Sequence, residues 1–334
     1  MRLTRAWGFL LVSCFLVMSL WIAHLLLRDS PRLTIRTNTW FLGGIGFSPD
    51  GRALFSVAQG DRRVRLWDPM TGEARSTLVL HQTVMGMSLS SGGSYLAAFS
   101  LGAATHEVVV WPYAQGLEYQ VFGDDARERV TCVALAPDGN LLASGLLDGG
   151  VRLWDIRSGT SRRAPFSHKG EVKDIVFSSC GQWLASVDDC GGTVMRWNIG
   201  SGSFGLVHSG DNPQVLATSP DAEILAVGEW DGTVSIIAIE SEEVVCVLRG
   251  PGKGDYCFVH DLQFSPDGTV LVAGSAVDNG LRIWCTSSWQ LLKFSKCHAV
   301  AVRSVAFSPD GHTLVTGGFR GEIKLWDINN LIRR

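Results

Sequence analysis

Phe47-Ser-Pro-Asp-Gly51, then a short apolar run, a polar turn and Val64-Arg-Leu-Trp-Asp68, is the stretch that decides how this chain folds. It returns near the C-terminus as Phe307-Ser-Pro-Asp-Gly311 followed by Ile323-Lys-Leu-Trp-Asp327. Between these copies the turn residue falls at Gly93, Gly139, Gly181, Ala222 and Gly268, and the strand end at Trp111, Trp154, Trp197, Ile237 and Trp284. The seven copies recur about every 41 to 46 residues, and a period in the low forties with four strand-like segments per unit is the signature of a propeller blade. The expected fold is all-β with seven blades.

The last unit shows the logic. Val302-Arg-Ser-Val-Ala-Phe307 alternates as strand a, and Pro309-Asp310-Gly311 supplies a turn in which Pro fixes φ and Gly tolerates a positive φ. Thr313 to Thr316 reads as strand b and Glu322 to Trp326 as strand c. After Trp326 too few residues remain for a turn and a fourth strand, whereas Leu33-Thr-Ile-Arg-Thr37 is a β-prone segment ahead of the first unit with no repeat of its own. Residues 33–37 are therefore expected to complete the last blade, making 33–334 one closed propeller.

These motifs resemble the WD-repeat β-propeller family from about Leu33 to the C-terminus. The resemblance implies a structural tetrad in each blade: a His before strand a, a Ser or Thr on strand b, an Asp in the b to c turn and the strand c Trp. The match is incomplete throughout. Blade 1 offers Ser56, Asp61 and Trp67, and blade 3 offers Ser144, Asp148 and Trp154, neither with a His. Blade 4 has His168, Ser186 and Trp197 with a lengthened turn, Asp188-Asp-Cys-Gly-Gly192, read as solvated. Blade 7 has His298, Thr316 and Trp326, but Arg320 stands where Asp is expected. A Ser-His-Asp set can activate a nucleophile. Here it recurs blade by blade beside a packed Trp, so the expected role is structural and no catalytic residue is assigned.

The N-terminus adds a second element. Ala6 to Leu27 runs 22 residues without a charged side chain, about 33 Å as a helix and enough to cross a bilayer core of about 30 Å. Residues 1–28 therefore read as a single-pass membrane anchor in preference to a cleaved signal, a lipoprotein leader at Leu11 to Cys14 or a buried helix. Arginines lie on both flanks and leave the orientation open. In residues 1–37 five arginines face one aspartate, a net of +4; with the whole chain at −3, the remainder carries −7. An acidic propeller is a poor match to phosphate backbones, and nucleic acid is not an expected partner.

No cofactor or metal is expected. Gly250-Pro-Gly-Lys-Gly-Asp255 lacks the Ser or Thr of a phosphate-cradling loop, and the chain has no zinc-like Cys/His spacing. The seven cysteines outside the anchor contain no CxxC and leave the redox compartment open. Together with the family resemblance, these readings give the expectation of a membrane-tethered, non-catalytic scaffold for other proteins. A propeller enzyme or small-ligand binder using the central channel is the alternative. The resemblance implies that inter-blade loops and b to c turns share one face, and the partner surface is expected there, at Trp40, Trp230, Val277, Phe319 and Arg320.

Overall fold

A computed structural model of the chain describes residues 30–92, 95–101, 107–113, 118–122, 129–210, 212–250, 258–275 and 279–333. Among these residues, seven four-stranded antiparallel sheets stand in sequence order, each joined to the next along its innermost strand. Blade 1 comprises Leu42–Phe47, Leu54–Ala58, Arg63–Trp67 and Ala74–Val79 as strands a to d. Blade 7 takes strands a to c from Val302–Phe307, Thr313–Gly318 and Glu322–Asp327, and its outer strand is Leu33–Arg36 from the other end of the chain. Thr37 extends that closure by donating both its N–H and its hydroxyl to the Gly321 carbonyl, each at 3.0 Å.

The Ser-Pro-Asp-Gly turn is held by its own side chains. Ser48 Oγ donates to Asp50 Oδ1 at 2.5 Å and accepts from Ala53 N at 2.9 Å, while Gly51 sits at φ +68°. The worn copy in blade 5 keeps the same conformation with Ala222 at φ +63°, where its Cβ is strained. The Asp after the strand c Trp plays a separate part, since Asp68 Oδ1 accepts from Met70 N and Thr71 N and ties the c to d turn. In blade 7, which has no such turn, Asp327 instead caps a short helix, Ile328–Ile332, accepting from Asn330 N.

Each blade alone would leave both faces wet, and seven apolar clusters fill the seven junctions between neighbours. At the closing junction Ile35, Val315, Ile323 and Leu325 of blade 7 meet Leu42, Ile45, Leu54 and Trp67 of blade 1, all buried. The expected membrane span over Ala6 to Leu27 lies outside the described residues. Among the described residues no helix is long and apolar enough to cross a membrane.

Candidate functional site

Strand a of every blade carries one extra residue against strand b, at the same place in the repeat: Gly43, Met85, Thr131, Lys173, Gln214, His260 and Arg303. All seven line a central channel enclosing about 880 Å³. Bulges re-aim side chains, and here one lining position per blade runs from Gly43 in blade 1 to Arg303 in blade 7. The channel's polar groups are largely engaged in joining blades. Asp261 Oδ2 accepts from Val305 N at 2.8 Å and Ser304 Oγ at 2.9 Å, Asp174 Oδ2 from Leu216 N at 2.8 Å, and Gln263 Oε1 from Phe307 N at 2.7 Å. Strand a would otherwise present unpaired N–H groups as a bare edge.

Desolvation raises Asp174 to about 7, helped by the charge of Asp261, and raises Asp261 to about 6. It drives His260 down to about 3, with the charge of Arg303, 3.5 Å away, adding to the effect. Among the described residues no group of His, Cys, Asp and Glu could hold a metal ion.

The tetrad-like residues fall into two arrangements. In blade 7, His298 Nε2 meets Thr316 Oγ1 at 2.8 Å and Trp326 Nε1 donates to the same oxygen at 2.9 Å. The Asp position is empty of a carboxylate: Arg320 is exposed, and Glu322 Oε2 approaches His298 Nδ1 to 3.8 Å. In blade 4, His168 Nε2 meets Ser186 Oγ at 2.8 Å and Nδ1 meets Thr193 Oγ1 at 3.1 Å, while the Trp197 indole N–H has no hydrogen-bond partner among the described residues. Blades 1 and 3 have only the Trp to Ser bond, Trp67 to Ser56 at 2.8 Å and Trp154 to Ser144 at 3.3 Å. Their aspartates turn to arginines, Asp61 to Arg65 and Asp148 to Arg163, both at 2.6 Å.

One expectation is corrected. Asp188 is not part of a solvated turn: it is fully buried, accepts from Gly191 N, Thr193 N and Thr193 Oγ1, and lies 3.4 Å from His168 Nδ1. The lengthened loop folds back so that its first residue takes the Asp role, and those hydrogen bonds hold its carboxyl below the usual range against the opposing effect of burial. Asp189, its neighbour, pairs with Lys173 at 3.0 Å. The sequence reading also missed blade 5, where His208 and the buried Glu229 meet at 3.2 Å. Glu229 pairs with the first residue of strand a, as Asp188 does in blade 4, and that register was the available signal.

On the face carrying the b to c turns, the expected partner residues sort into two groups. Phe319 packs edge-on against Phe41 with centroids 4.2 Å apart, beside Trp40, which is 73% exposed, and Arg320, also exposed. Trp230, 37% exposed, stacks on Phe258 at 4.6 Å, and Phe258 in turn meets His260 edge-on at 4.4 Å. Val277 lies outside the described residues. Each group spans a junction, blade 7 to 1 or blade 5 to 6. Phe41 and Phe258, which the sequence reading did not single out, both immediately precede a strand a.

The WD domain, G-beta repeat, family model matches residues 31–68, 118–155, 160–198, 242–285 and 289–327, together more than half of the chain. The chain belongs to that family. It is 28% identical over 217 residues to transcription initiation factor TFIID subunit 5 of Caenorhabditis elegans, covering 63% of this chain and 32% of that protein. It is 28% identical over 194 residues to the WD repeat-containing protein SL1-17 of Schistosoma mansoni, covering 57% of this chain and 62% of that protein. The guanine nucleotide-binding protein subunit beta of Arabidopsis thaliana is 24% identical over 319 residues, 88% of this chain and 82% of that one. The chain thus spans about a third of the first relative and under two thirds of the second.

Proposed function

We propose that this propeller is a non-catalytic scaffold that binds other proteins through its b to c turn face and is tethered to a membrane by Ala6 to Leu27. The observation that carries the binding reading is the pair of aromatic groups on that face, each bridging two blades with a tryptophan left partly or largely exposed. Rigid aromatic rings beside Arg320 match the composition of binding hot spots. Membership of a family whose relatives here include two proteins named as subunits supports the same direction. The tether rests on the uncharged 22-residue run, and nucleic acid is disfavoured by the −7 balance (−3 less +4) of the chain beyond residue 37.

The non-catalytic reading rests on access. His168 and His298 have side chains 0% and 1% exposed, and their hydroxyl partners Ser186 and Thr316 are fully buried. A substrate cannot reach them without opening a blade. Desolvation also lowers both imidazoles, His298 to about 4 and His168 below its ordinary value against the opposing charge of Asp188.

The test is affinity purification of the full chain from solubilised membranes, comparing wild type with Trp40→Ala and with Trp230→Ala plus Phe319→Ala. Loss of the same co-purifying protein, with unchanged melting, is the expected result. Retention of every partner by both folded variants refutes the face. Release of wild type from membranes by alkaline carbonate refutes the tether independently.

A further inference from the structure

Two of the seven bulge residues on the channel wall carry a fixed positive charge, and the chain treats them differently. Lys173 of blade 4 lies between Glu171 Oε2 at 2.9 Å and Asp189 Oδ2 at 3.0 Å. Arg303 of blade 7 is half-buried and has no carboxylate partner among the described residues; its guanidinium meets His260 Nε2 at 3.5 Å through Nη1. Asp261 and Asp174, on the same wall, are turned onto the amides of Val305 and Leu216 instead. Burial alone draws Arg303 below the ordinary arginine value, so no neighbouring charge offsets its lost hydration. An anion placed there restores what burial removed.

The position of Arg303 ties it to the surface already described. Its neighbour Val302 pairs with Gly318, where strand b enters the b to c turn, so Arg303 stands at that end of the channel. From there a line of contacts runs outward through His260 and Phe258, 4.4 Å apart, to the partly exposed Trp230, 4.6 Å further on. On the other side blade 1 offers only Gly43 at the equivalent position. The side-chain amide of Gln59 borders it, makes no hydrogen bond among the described residues and also lines the channel. We propose that this end of the channel takes the carboxylate of an aspartate or glutamate side chain from the protein bound on the b to c turn face, a proposal that rests on that face being the partner surface. A guanidinium presents a planar fork of donors that matches a carboxylate. His260, drawn down to about 3, accepts from Nη1 and leaves the other donors of the fork for the ligand, with the Gln59 amide beside them. A phosphate fits less well, because one arginine supplies a single charge and Asp261 and Asp174 on the same wall oppose a second negative one.

The test is selection of random dodecapeptides on the full chain in detergent, followed by titration of the tightest peptide by fluorescence anisotropy. Selected peptides are expected to share an Asp or Glu, and its replacement by Asn or Gln weakens binding about tenfold or more. Arg303→Gln weakens the acidic peptide by the same factor and leaves the amide peptide unchanged, the mark of a direct pair in a double-mutant cycle. Arg303→Lys keeps the charge and loses the fork; it retains a reduced preference for the acid and serves if Arg303→Gln does not melt as wild type does. A pool with no retained peptide, peptides that share no acid, or an acid whose effect persists in Arg303→Gln overturns the proposal. So does a phosphoserine peptide that binds more tightly than the acidic one, or displacement of the peptide by micromolar glutarate, which would assign the site to a small free carboxylate. Peptides without an acid that are lost with Trp230→Ala plus Phe319→Ala overturn the carboxylate site and spare the face. Acidic peptides that need Arg303 but survive those substitutions and Trp40→Ala refute the face and leave the carboxylate site standing.

Discussion

Blades 7 and 1 sit side by side, are built from the same repeat, and are stabilised by different means. Blade 7 is assembled from both ends of the chain and holds its strands with a polar cluster, in which Thr316 Oγ1 serves both His298 and Trp326. Blade 1 has no such His and keeps only the bond from Trp67 to Ser56. Its strand a is Leu-Gly-Gly-Ile-Gly-Phe, and a Cβ on Gly43 would stand 2.4 Å from the Met85 carbonyl oxygen of blade 2. A missing polar anchor is accompanied by close backbone approach between neighbours. The repeat therefore dictates where each residue goes more strictly than which force it contributes.

The largest expected effect breaks blade 7 at its seam. Ile35 is buried in the closing junction and its strand pairs over four residues with strand c. Ile35→Asp places an unpaired charge there, and an isolated buried charge costs several kcal/mol. Because every blade depends on its neighbours, the expectation is loss of the cooperative melting transition, read by calorimetry. A melting curve displaced by only a few degrees would mean that the ring does not need this strand.

Second comes the matching lesion in blade 1, Gly43→Val. The atom in its way is backbone, so the blades must separate or the strand must shift, at a cost of about 3 kcal/mol or more. For a chain of this size about 2 °C of melting temperature is lost per kcal/mol, giving a fall of about 6 °C. Gly44→Ala meets the flexible Met87 side chain first, at 2.9 Å, and is expected to cost less.

Thr316→Val and Ser56→Ala then sharpen the comparison directly. The first leaves two buried donors or acceptors, on His298 and Trp326, without their shared partner and is expected to cost about 3 kcal/mol; the second orphans one indole N–H and is expected to cost about 1 kcal/mol. Chemical denaturation of both variants checks the ratio. Equal losses would show that the histidine adds nothing to blade 7.

The seven-fold architecture was legible because Pro, Gly and Trp each have a strong local reason to sit where they do, and seven copies reinforce one another. Ala222 and Ile237 were readable as worn copies only through that spacing. The site was less legible. Phe41 and Phe258 matter through rings on the neighbouring blade, which no local pattern reports. Asp188 looked solvated because two acids beside two glycines resemble an exposed turn, yet the fold back onto Thr193 buries the first of them. The channel position that is Gly43 in one blade and Arg303 in another could be found only once the bulge in strand a was visible.

The smallest net effect concerns pH, because two buried groups, one in the polar interior of blade 7 and one on the channel wall, titrate over overlapping windows with opposite sign. Burial, aided by the charge of Lys324, lowers His298 to about 4 in the folded chain from an ordinary value of 6.5. The unfolded chain then binds more protons between those values, so the contribution of His298 is complete above 6.5 and is lost as pH falls toward 4. Asp261 has the opposite sign: its folded value of about 6 exceeds the ordinary 3.8, so its contribution is complete below 3.8 and is lost as pH rises through 6. Blade 1 carries neither group. The two contributions therefore oppose each other in wild type: His298→Gln is expected to unmask a loss of stability as pH rises from about 4 to 6, and Asp261→Asn a loss as pH falls from about 6.5 to 4. Urea denaturation at half-unit pH intervals reads both slopes. If Asp261→Asn left the slope over its own window unchanged, the carboxylate would have to be as well solvated as in the unfolded chain, and the lacing of blade 6 to blade 7 through Val305 N would not desolvate it.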